Sequence, residues 1–438
     1  MFDKAGKPGV DWRQLLTDPF HRIRFRRRCL QHAYPAFACL AGLYRRTFLR
    51  RVQVVAVVGS LGKTTTTEAI RTGLGGLTRS RSLGNRGFYI AATLLSARPS
   101  SRYIVVETGI ERPGEMARQA AMLKPDITVV TCVASDHNRS FGDLAATRRE
   151  KAQMVAAVPP SGRAVLNGDD PHVLEMRDEA ACPVLTYGFQ PHNHFRATDY
   201  RLCWPFGSSF RVKSVGHETI EARTGLVGQP MVYPVLAALA VSCLAGISLH
   251  EAERRLRTLR PTPMRLEPVV SPGGAWLLRD EYKSGLETIQ AALDLLAEIP
   301  ARRKWVVLGD VTEPPGSSGE IYRTLGRRLA EVADQAIILS HLFQRYRAGA
   351  RRAGHRVDHW VDAYGDLSRA LSALPRDLGP GDVILVKGRH EQRLQRISLA
   401  LLGRDVGCRI ASCRAPIDCS RCPRLEIGWG MHPASTDA

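Results

Sequence analysis

The stretch "RVQVVAVVGSLGKTTTTEAIRTGLGG", residues 51–76, places a valine-rich run, a glycine loop and a helical run in immediate succession. The valine-rich run has the continuous apolar pattern of a strand buried on both faces of a parallel sheet. The loop places Gly59 and Gly62 two residues closer together than the phosphate loop Gly-x-x-x-x-Gly-Lys-[Ser/Thr] does, and Lys63 and Thr64 follow directly. Strand, loop and helix together predict an α/β nucleotide-binding domain.

The same alternation of strand and helix continues along the chain. Strand-like runs occupy 102–109, 126–133 and 162–170, and helical stretches separate them. This order predicts a mostly parallel, doubly wound sheet with its ligands at the carboxyl ends of the strands. Aromatic and alternating residues at 187–225 are typical of additional β-structure. Beyond a proline-rich boundary near 262, further strands and helices predict a second, Rossmann-like α/β unit.

Length and composition are those of a globular protein of several domains. The chain has 438 residues, of which 44% are hydrophobic and 24% are charged. We predict four segments: a basic, helical N-terminal arm over 1–50, a central nucleotide-binding domain over 51–262, a C-terminal α/β domain over 263–403 and a Cys-rich tail over 404–438.

Positive charge is concentrated at the N-terminus. The formal net charge is +20, and residues 1–51 hold twelve Lys and Arg against three Asp, a net charge of +9. Three interpretations fit such a basic arm: a solvated helix, a surface that binds anionic membrane, or a surface that binds nucleic acid. Five aromatic residues accompany the charges, namely Phe20, Phe25, Tyr34, Phe37 and Tyr44. They favour a lipid interface, whereas a nucleic-acid partner rests on charge alone and is disfavoured.

No membrane-spanning segment or secretory signal is predicted. The longest apolar stretch, at 29–44, has 16 residues and is interrupted by His32 and Pro35. The N-terminus has charge but no apolar region that ends in a cleavage site. We therefore expect a cytoplasmic protein, with peripheral attachment to the inner face of the membrane through the arm.

Four of the ten cysteines form a cluster near the C-terminus. Cys408, Cys413, Cys419 and Cys422 fall within 15 residues and close with a Cys-x-x-Cys pair. Such density in a reducing compartment predicts a tetrahedral thiolate site for Zn²⁺, or less often an iron–sulfur cluster. Redox-active or incidental thiols remain the alternative, because the spacing is not that of a standard zinc knuckle pair.

Eight motifs in a fixed order make the chain resemble the Mur ligase family, the ATP-dependent amide-forming enzymes of peptidoglycan assembly, together with folylpolyglutamate and cyanophycin synthetases. The resemblance runs from about residue 52 to 400. Its motifs are "GSLGKTTTT", "ETGIERPGEM", "SDHNRSFGDLAATRREKAQMV", "VLNGDDPHV", "PMRLEP", "DEYKSGLETIQAALDLL", "VVLGDVTE" and "GDVILVKG".

The resemblance implies a role for each residue of the phosphate loop. Gly59 and Gly62 let the backbone approach the phosphates of ATP, and Thr65 lies beside the nucleotide. Lys63 is implied to be catalytic, since it neutralises the outer phosphates. Thr64 is implied to give its hydroxyl to Mg²⁺.

Three further residues are implied to serve the metal and the chemical step. Glu107 would bind Mg²⁺, and His137 would be a catalytic residue near a second Mg²⁺. Lys151 matches a lysine that many family members carry as a carbamate, which turns a cation into an anionic oxygen ligand for a hard metal. A solvated helix lysine remains the alternative for Lys151.

The remaining implied contacts to ATP come from both domains. Asn167 belongs to a turn on the nucleotide side, although Asp169 and Asp170 also make an ordinary Asp-rich turn possible there. Arg265, at the domain boundary, would contact phosphates through its guanidinium. Asp280 would contact the nucleotide from the C-terminal domain.

The chain also departs from the family. After Gly228 it has Pro230, Met231 and Pro234, where the family usually carries Gly-x-His-Asn followed by another Asn. The stretch 282–286 replaces a Tyr-Asn-x-Asn-Pro motif found in one branch of the family. Adenine recognition is therefore expected to be built differently.

The resemblance implies an ATP- and Mg²⁺-dependent carboxylate–amine ligase that works through an acyl phosphate. Its partners would be a small-molecule or peptide carboxylate and an amine. We expect a non-standard acceptor, because the basic arm stands where the family has a domain for the UDP-sugar end of the substrate. The alternatives are a genuine pentapeptide-forming ligase and a catalytically weakened, nucleotide-binding scaffold.

Overall fold

The computed structural model describes residues 19–78, 84–135, 141–415 and 417–428, and its strands form two sheets. The strands of the first sheet are β1 (Gln53–Val58), β2 (Tyr103–Glu107), β3 (Ile127–Val130), β4 (Arg163–Asn167), β5 (Val184–Gly188), β6 (Phe195–Cys203), β7 (Gly207–Ser214) and β8 (Ile220–Thr224). Those of the second sheet are β9 (Glu267–Val270), β10 (Trp276–Asp280), β11 (Arg303–Leu308), β12 (Gln335–Ile338), β13 (Val361–Asp362) and β14 (Asp382–Lys387).

Helices connect the strands and cover the sheets. Those up to the end of the first sheet are α1 (Pro19–Thr47), α2 (Lys63–Leu74), α3 (Gly87–Leu95), α4 (Glu115–Leu123), α5 (Leu144–Ala156), α6 (Pro171–Leu174), α7 (Val232–Leu244) and α8 (Leu249–Leu256). Those of the second part are α9 (Leu286–Glu298), α10 (Ser318–Val332), α11 (Phe343–Arg352), α12 (Leu367–Ser372) and α13 (Gln395–Leu401).

The first sheet has the strand order β2-β1-β3-β4-β5-β6-β7-β8. Its strands are parallel as far as β6, and β6, β7 and β8 then pair antiparallel within the stretch predicted to be β-rich. The chain runs outward from β1 to β2 and returns to β3 on the other side of β1, so the order reverses between β1 and β3. Ligands bind at such a reversal, and it lies directly beneath the predicted phosphate loop.

The second sheet also has a reversal of strand order. Its order is β13-β12-β11-β14-β10-β9, with β9 as the antiparallel edge strand. The order reverses between β11 and β14, which are parallel neighbours. The predicted fold class, a mostly parallel, doubly wound α/β domain followed by a Rossmann-like α/β domain, is confirmed. The predicted boundary near 262 falls in the connection from α8 to β9.

The described part of the N-terminal arm is α1, which is fixed against the first sheet. Ala41 and Leu49 are fully buried and share a hydrophobic cluster with Val54 and Val58 of β1. Arg45 donates to the carbonyl oxygens of Leu123, Lys124 and Leu49 and to Asp126 Oδ2, at 2.6–3.1 Å. The helix is thus an integral layer of the domain. None of the helices in the described ranges is both long and apolar enough to cross a membrane.

Candidate functional site

A cleft of about 730 Å³ lies between the two sheets. The phosphate loop and the ends of β2, β3 and β4 line one wall, and residues from the second sheet line the other. The second wall contains Arg265, Leu266, Asp280, Tyr282, Lys283, Glu287, Thr288, Ala291 and Lys387. A cleft of this size at the carboxyl ends of parallel strands is suited to a nucleotide.

The two glycines of the phosphate loop, residues 59–64, are required by its geometry. Gly62 precedes α2 with φ at +78°, a left-handed conformation that glycine adopts without strain. A Cβ atom on Gly59 would lie 1.9 Å from Thr131 Oγ1, which leaves no room for any side chain. The tight loop therefore presents backbone N–H groups at the N-terminus of α2, where anions are favoured.

Hydrogen bonds to the end of β3 hold the loop in place. Ser60 N donates to Cys132 O at 2.8 Å, and Ser60 Oγ donates to Ala134 O at 3.2 Å. Thr131 Oγ1 donates to Leu61 O at 2.6 Å. The loop is therefore preorganised, so that binding a phosphate costs little further ordering of the chain.

Two lysines converge on the loop from different elements. Lys63 Nζ donates to Gly59 O at 2.8 Å and to Ser60 O at 3.0 Å, and Lys151 Nζ, from α5, donates to Gly59 O at 3.1 Å. Lys63 is 9% exposed and Lys151 is 3% exposed. Lys151 is thus buried against the phosphate loop. It is not the solvated helix residue that the sequence left as the alternative.

Oxygen donors beside the loop fit a hard divalent cation. Glu107 ends β2 in the cleft, and its Oε1 accepts a hydrogen bond from Asn85 Nδ2 at 2.9 Å. Thr64 lines the same cleft at the start of α2. Carboxylate and hydroxyl oxygens are ligands that suit Mg²⁺. His137, the third predicted residue here, lies outside the described residues.

Sequence reasoning did not find Asn85, the residue that positions the Glu107 carboxylate. It precedes α3 in "GNRG", a polar residue between glycines, and no strand-end pattern marks it. Its role follows only from the packing of that turn against the end of β2.

The side chains of the predicted turn after β4 make several hydrogen bonds that hold neighbouring segments of the protein together. Asn167 Nδ2 donates to Thr131 O at 2.8 Å, and its Oδ1 accepts from Asp169 N at 3.1 Å. The Asp169 carboxylate accepts from Phe189 N at 2.6 Å and from the Tyr233 hydroxyl at 3.0 Å. Asn167 lines the cleft, but one of its amide N–H groups and its carbonyl oxygen are already engaged within the protein.

The Asp170 carboxylate likewise accepts hydrogen bonds from within the protein. Its Oδ1 accepts from Val173 N at 3.2 Å and so caps α6, while its Oδ2 accepts from Val133 N at 2.8 Å. The cap places the Asp170 carboxylate between two strand ends. These bonds agree with the ordinary Asp-rich turn that the sequence left as an alternative, and the turn also lines the cleft.

The second wall carries the predicted pair Arg265 and Asp280. The Arg265 guanidinium lies 4.3 Å from the ring centroid of Tyr282, and both residues line the cleft. Asp280 Oδ2 accepts from Lys387 Nζ at 2.6 Å, and Lys387 also donates to Lys283 O at 2.7 Å. Burial lowers the pKa of the Lys387 amine, and the adjacent Asp280 carboxylate opposes that shift.

Two contacts link the side of the cleft that carries the phosphate loop to the second domain and to the connection between the domains. Glu287, in the first turn of α9, accepts from Ser135 N at 3.2 Å and from Ser135 Oγ at 2.9 Å. The Thr65 and Thr262 hydroxyls are 3.3 Å apart. The hydroxyl of Thr65, predicted to lie beside the nucleotide, therefore faces the connection between the domains. The sequence does not single out Glu287 as a functional residue, because its only distinguishing feature is its position in the first turn of a helix.

A second polar cluster lies at the reversal of strand order between β11 and β14. Asp310 follows β11, and its carboxylate is 3.3 Å from His341 Nδ1 and 3.7 Å from Arg389 Nη2, which follows β14. Gln392 Nε2 donates to Asp310 Oδ2 at 3.3 Å. Asp310 Oδ1, the oxygen that lies 3.3 Å from His341 Nδ1, is buried. The strand-end rule could have found Asp310 and Arg389 from the sequence.

The clustered cysteines do not form the predicted metal site. Cys408, Cys413, Cys419 and Cys422 line one cavity of about 10 Å³. Yet, in the part of the chain that the structure describes, no group of three or more His, Cys, Asp or Glu side chains is placed to hold a metal ion. The prediction of a zinc or iron–sulfur site is therefore corrected.

Buried guanidinium groups give a physical reason for this correction. Arg396 Nη1 donates to Cys408 Sγ at 3.4 Å, and Arg393 lines the same cavity. These cations repel a divalent metal. Burial also raises the pKa of the Cys419 thiol to about 11.

Two family models match most of the chain. The Mur ligase middle domain matches residues 57–242, and the Mur ligase, glutamate ligase domain matches residues 264–390. The UDP-N-acetylmuramoyl-tripeptide–D-alanyl-D-alanine ligase of Escherichia coli is 29% identical over 372 residues, which are 84% of this chain and 80% of that protein. The enzyme of the same name from Bacillus subtilis is 26% identical over 353 residues, 79% of this chain and 75% of that protein.

Solved structures agree with the fold. A crystal structure of MurF from Acinetobacter baumannii superposes with a TM-score of 0.75 at 23% identity, covering 85% of this chain and 81% of that one. MurF ligase from Thermotoga maritima, in complex with ADP, has a TM-score of 0.72 at 21% identity and covers 84% and 83%. Both similarities support the observed fold of the two domains.

Proposed function

The chain belongs to the Mur ligase family of ATP-dependent acid–amino acid ligases, and from that premise we propose that it joins a non-standard carboxylate substrate to an amine. The observation that carries the proposal is the cleft, in which the phosphate loop with Lys63 faces Arg265 and Lys387 of the other domain, while Lys151 supports the loop from behind through Gly59 O. Cations on both walls suit the phosphates of ATP and a carboxylate substrate between them.

The chemistry needs a leaving group on the carboxylate. A carboxylate oxygen attacks the γ-phosphorus of ATP, the bond between the β- and γ-phosphates breaks, and ADP leaves. The amine then attacks the carbonyl carbon of the acyl phosphate, inorganic phosphate departs with the bonding electrons, and the amine nitrogen loses a proton. Lys63 would neutralise the outer phosphates during the first step. Thr64 and Glu107 would hold Mg²⁺, which offsets phosphate charge when bound.

Several features support a carboxylate other than a UDP-muramyl peptide. In the described part of the chain ahead of the phosphate loop, α1 is a single helix packed on α3 and α4. Residues 1–56 also lie outside both family matches. The reaction that the names of the relatives state, addition of D-alanyl-D-alanine, remains the second candidate because the sequences are similar over both domains.

The amine is proposed to bind beside the cleft, at the polar cluster between β11 and β14. Gly309 N donates to Lys387 O at 2.8 Å and Thr312 N donates to Ser284 O at 2.7 Å, so the loop that carries Asp310 adjoins the cleft wall. The Asp310 carboxylate suits the ammonium group of an incoming amine, and Arg389 suits a carboxylate on the same molecule. An amino acid or short peptide is therefore the favoured class of amine.

Asp310→Asn tests this assignment. We expect the KM for the amine to rise about tenfold or more while the KM for ATP changes little, because the substitution removes the charge that attracts an ammonium but keeps the shape. Asp358→Asn is the matched control, since Asp358 pairs with Arg347 and Arg351 at the opposite, amino-terminal edge of the sheet. Steady-state kinetics with each substrate varied in turn measure the effect. An equal change in both KM values would contradict the assignment.

Nucleotide selectivity is expected to be loose. Pro230, Met231 and Pro234 line the cleft where the family resemblance implies side-chain amides. An apolar pocket discriminates between similar ligands by about 10- to 200-fold, whereas one that hydrogen-bonds the ligand can reach about 10⁴-fold. We therefore expect the kcat/KM for ATP to exceed that for GTP by less than about 100-fold. A preference of several hundredfold in matched assays would refute this prediction.

The proposed activity is tested by ADP release from the purified chain in the presence of ATP and Mg²⁺. Panels of acidic metabolites and peptides are crossed with panels of amines, and the products are identified by mass spectrometry. Release that requires one acid and one amine together, with a product of their summed mass less water, is the expected result. Turnover only with a UDP-muramyl tripeptide and D-alanyl-D-alanine would overturn the non-standard substrate.

A further inference from the structure

Apolar side chains are exposed along the outer side of α1 and at its C-terminal end. Phe37 is 37% exposed, Leu40 55%, Leu43 54% and Phe48 66%. They follow one another on successive turns of the chain, and the Phe37 ring packs 5.1 Å from that of Phe88 on α3. These four residues form an apolar strip that is exposed in the described protein, with Phe37 at the edge where it meets α3.

The strip belongs to a fixed element. Ala41 is fully buried against the domain, and the four hydrogen bonds of Arg45 attach the same turn to the segment after α4 and to Asp126. The exposed side chains are therefore held on one side of α1 by the burial of the other. A strip held in place in this way can meet a surface without first paying the entropy of ordering a loose arm.

Exposed arginines accompany the strip along the chain, and the stretch that carries the strip contains no acidic residue. Arg46, Arg50 and Arg51 are exposed close to Leu43 and Phe48, and Arg22 and Arg26 are exposed further along α1. Residues 19–51 contain no Asp or Glu.

We propose that the outer face of α1 docks on the surface of an anionic lipid bilayer, with the apolar strip at the level of the acyl boundary and the arginines at the headgroups. An apolar strip flanked by arginines has the composition of an interfacial helix, and arginines near an anionic leaflet add electrostatic attraction. This inference goes beyond the proposed ligase activity and does not depend on it.

Two other occupants fit the face less well. A second copy of the chain would bring the same face against itself in a two-fold contact, so that arginines would meet arginines with no acid to pair them. Nucleic acid would place phosphates against Leu40 and Leu43, which offer no hydrogen-bond donor. The bilayer alone uses both the apolar strip and its charged border.

Docking would also bring one side of the cleft near the membrane. A Cβ atom on Gly87, at the start of α3, would lie 2.4 Å from the Tyr34 ring, so α1 and the turn that carries Asn85 are in close contact. Asn85 in turn positions Glu107 in the cleft. The membrane surface and the candidate active site are thus linked by contiguous packing.

The test is flotation of the full chain with vesicles of phosphatidylcholine alone and of an equimolar mixture with phosphatidylglycerol. One variant removes the apolar strip (Leu40→Ser, Leu43→Ser and Phe48→Ser) and another removes charge (Arg46→Gln, Arg50→Gln and Arg51→Gln). The control (Phe206→Ser, Val215→Ser and Tyr364→Ser) removes apolar residues that are 58–82% exposed on other parts of the surface. Point variants are preferred to deletion because α1 contributes Ala41 and Leu49 to the core.

We expect binding to the anionic vesicles only, weakened at least tenfold in both α1 variants and at high salt, and unchanged in the control. Binding that is the same in all variants, or the same on neutral vesicles, would overturn the proposal. Sedimentation velocity supplies the second measurement. A dimer that the Ser variant dissociates, without vesicle binding by the unmodified chain, would assign the face to self-association and would equally overturn it.

Discussion

Replacing Lys63 by Ala is expected to lower the rate of ATP-dependent phosphate release by about 10³-fold or more. Lys63 is 9% exposed and its ammonium lies 2.8 Å from Gly59 O, inside the loop that would receive the phosphates. Removing a positioned cation from developing phosphate charge costs a ligase of this type several orders of magnitude, since phosphoryl transfer depends on positioning and charge neutralisation.

The measurement is phosphate release at saturating ATP, once an accepted pair of substrates is known. Lys213→Ala, which removes an exposed lysine from β7, is the matched control and should keep full activity. The melting temperature of Lys63→Ala should be compared with that of the unmodified chain, so that loss of folding is distinguished from loss of chemistry. Turnover at the original rate in a folded Lys63→Ala protein would refute the nucleotide assignment.

Replacing Lys151 by Ala is expected to lower activity by about 10²-fold, and added short carboxylates are expected to restore part of it. Lys151 is 3% exposed and its Nζ lies 3.1 Å from Gly59 O, so the side chain ends beneath the phosphate loop. If the amine carries a carbamate formed with carbon dioxide, the carbamate presents an anionic oxygen there. Formate or acetate can occupy the space that Ala leaves and supply an equivalent oxygen to a hard metal.

Rescue separates this role from a purely structural one. Lys151→Met, which fills the same space without an amine, should be less active than the unmodified chain and should respond to acetate less than Lys151→Ala does. A signal from ¹³C-labelled bicarbonate in the unmodified protein, absent from Lys151→Ala, would support the carbamate independently. Loss of activity with no rescue by any carboxylate would leave Lys151 as a brace of Gly59 and contradict the prediction.

The differences from the family at the second wall of the cleft indicate which substrates should be tested first. Lys283 stands in the cleft within the stretch 282–286, where one branch of the family has amides. A cation there favours an anionic group on a substrate. Acidic peptides and acidic metabolites should therefore be placed first in the substrate panel.

Local sequence was sufficient for the phosphate loop and the order of elements. Gly59 and Gly62 are needed because a Cβ atom would clash or the φ angle is left-handed, and such short-range constraints are visible in a few consecutive residues. The valine-rich runs predicted β1 to β4 because strands buried on both faces must be apolar throughout.

Local sequence was not sufficient for the chemistry of polar side chains at the strand ends. Asn167, Asp169 and Asp170 have the composition of a nucleotide-binding turn, yet their hydrogen bonds serve backbone groups of Val133, Phe189 and other neighbours. Which donors surround a carboxylate depends on the segments that fold against it. The spacing of the four cysteines likewise predicted a metal, but the fold places Arg396 against Cys408.

The sequence by itself determined a Mur-type pair of α/β domains and a phosphate loop with Lys63, because the backbone geometry of strand, loop and helix is set by neighbouring residues. Only the tertiary structure decided which distant groups meet. Asp280 and Lys387 are 107 residues apart and form a 2.6 Å ion pair because β10 and β14 are adjacent, and Asp310 meets Arg389 because β11 and β14 are adjacent. Strand order is fixed by burial across the whole domain, so no local pattern contains it.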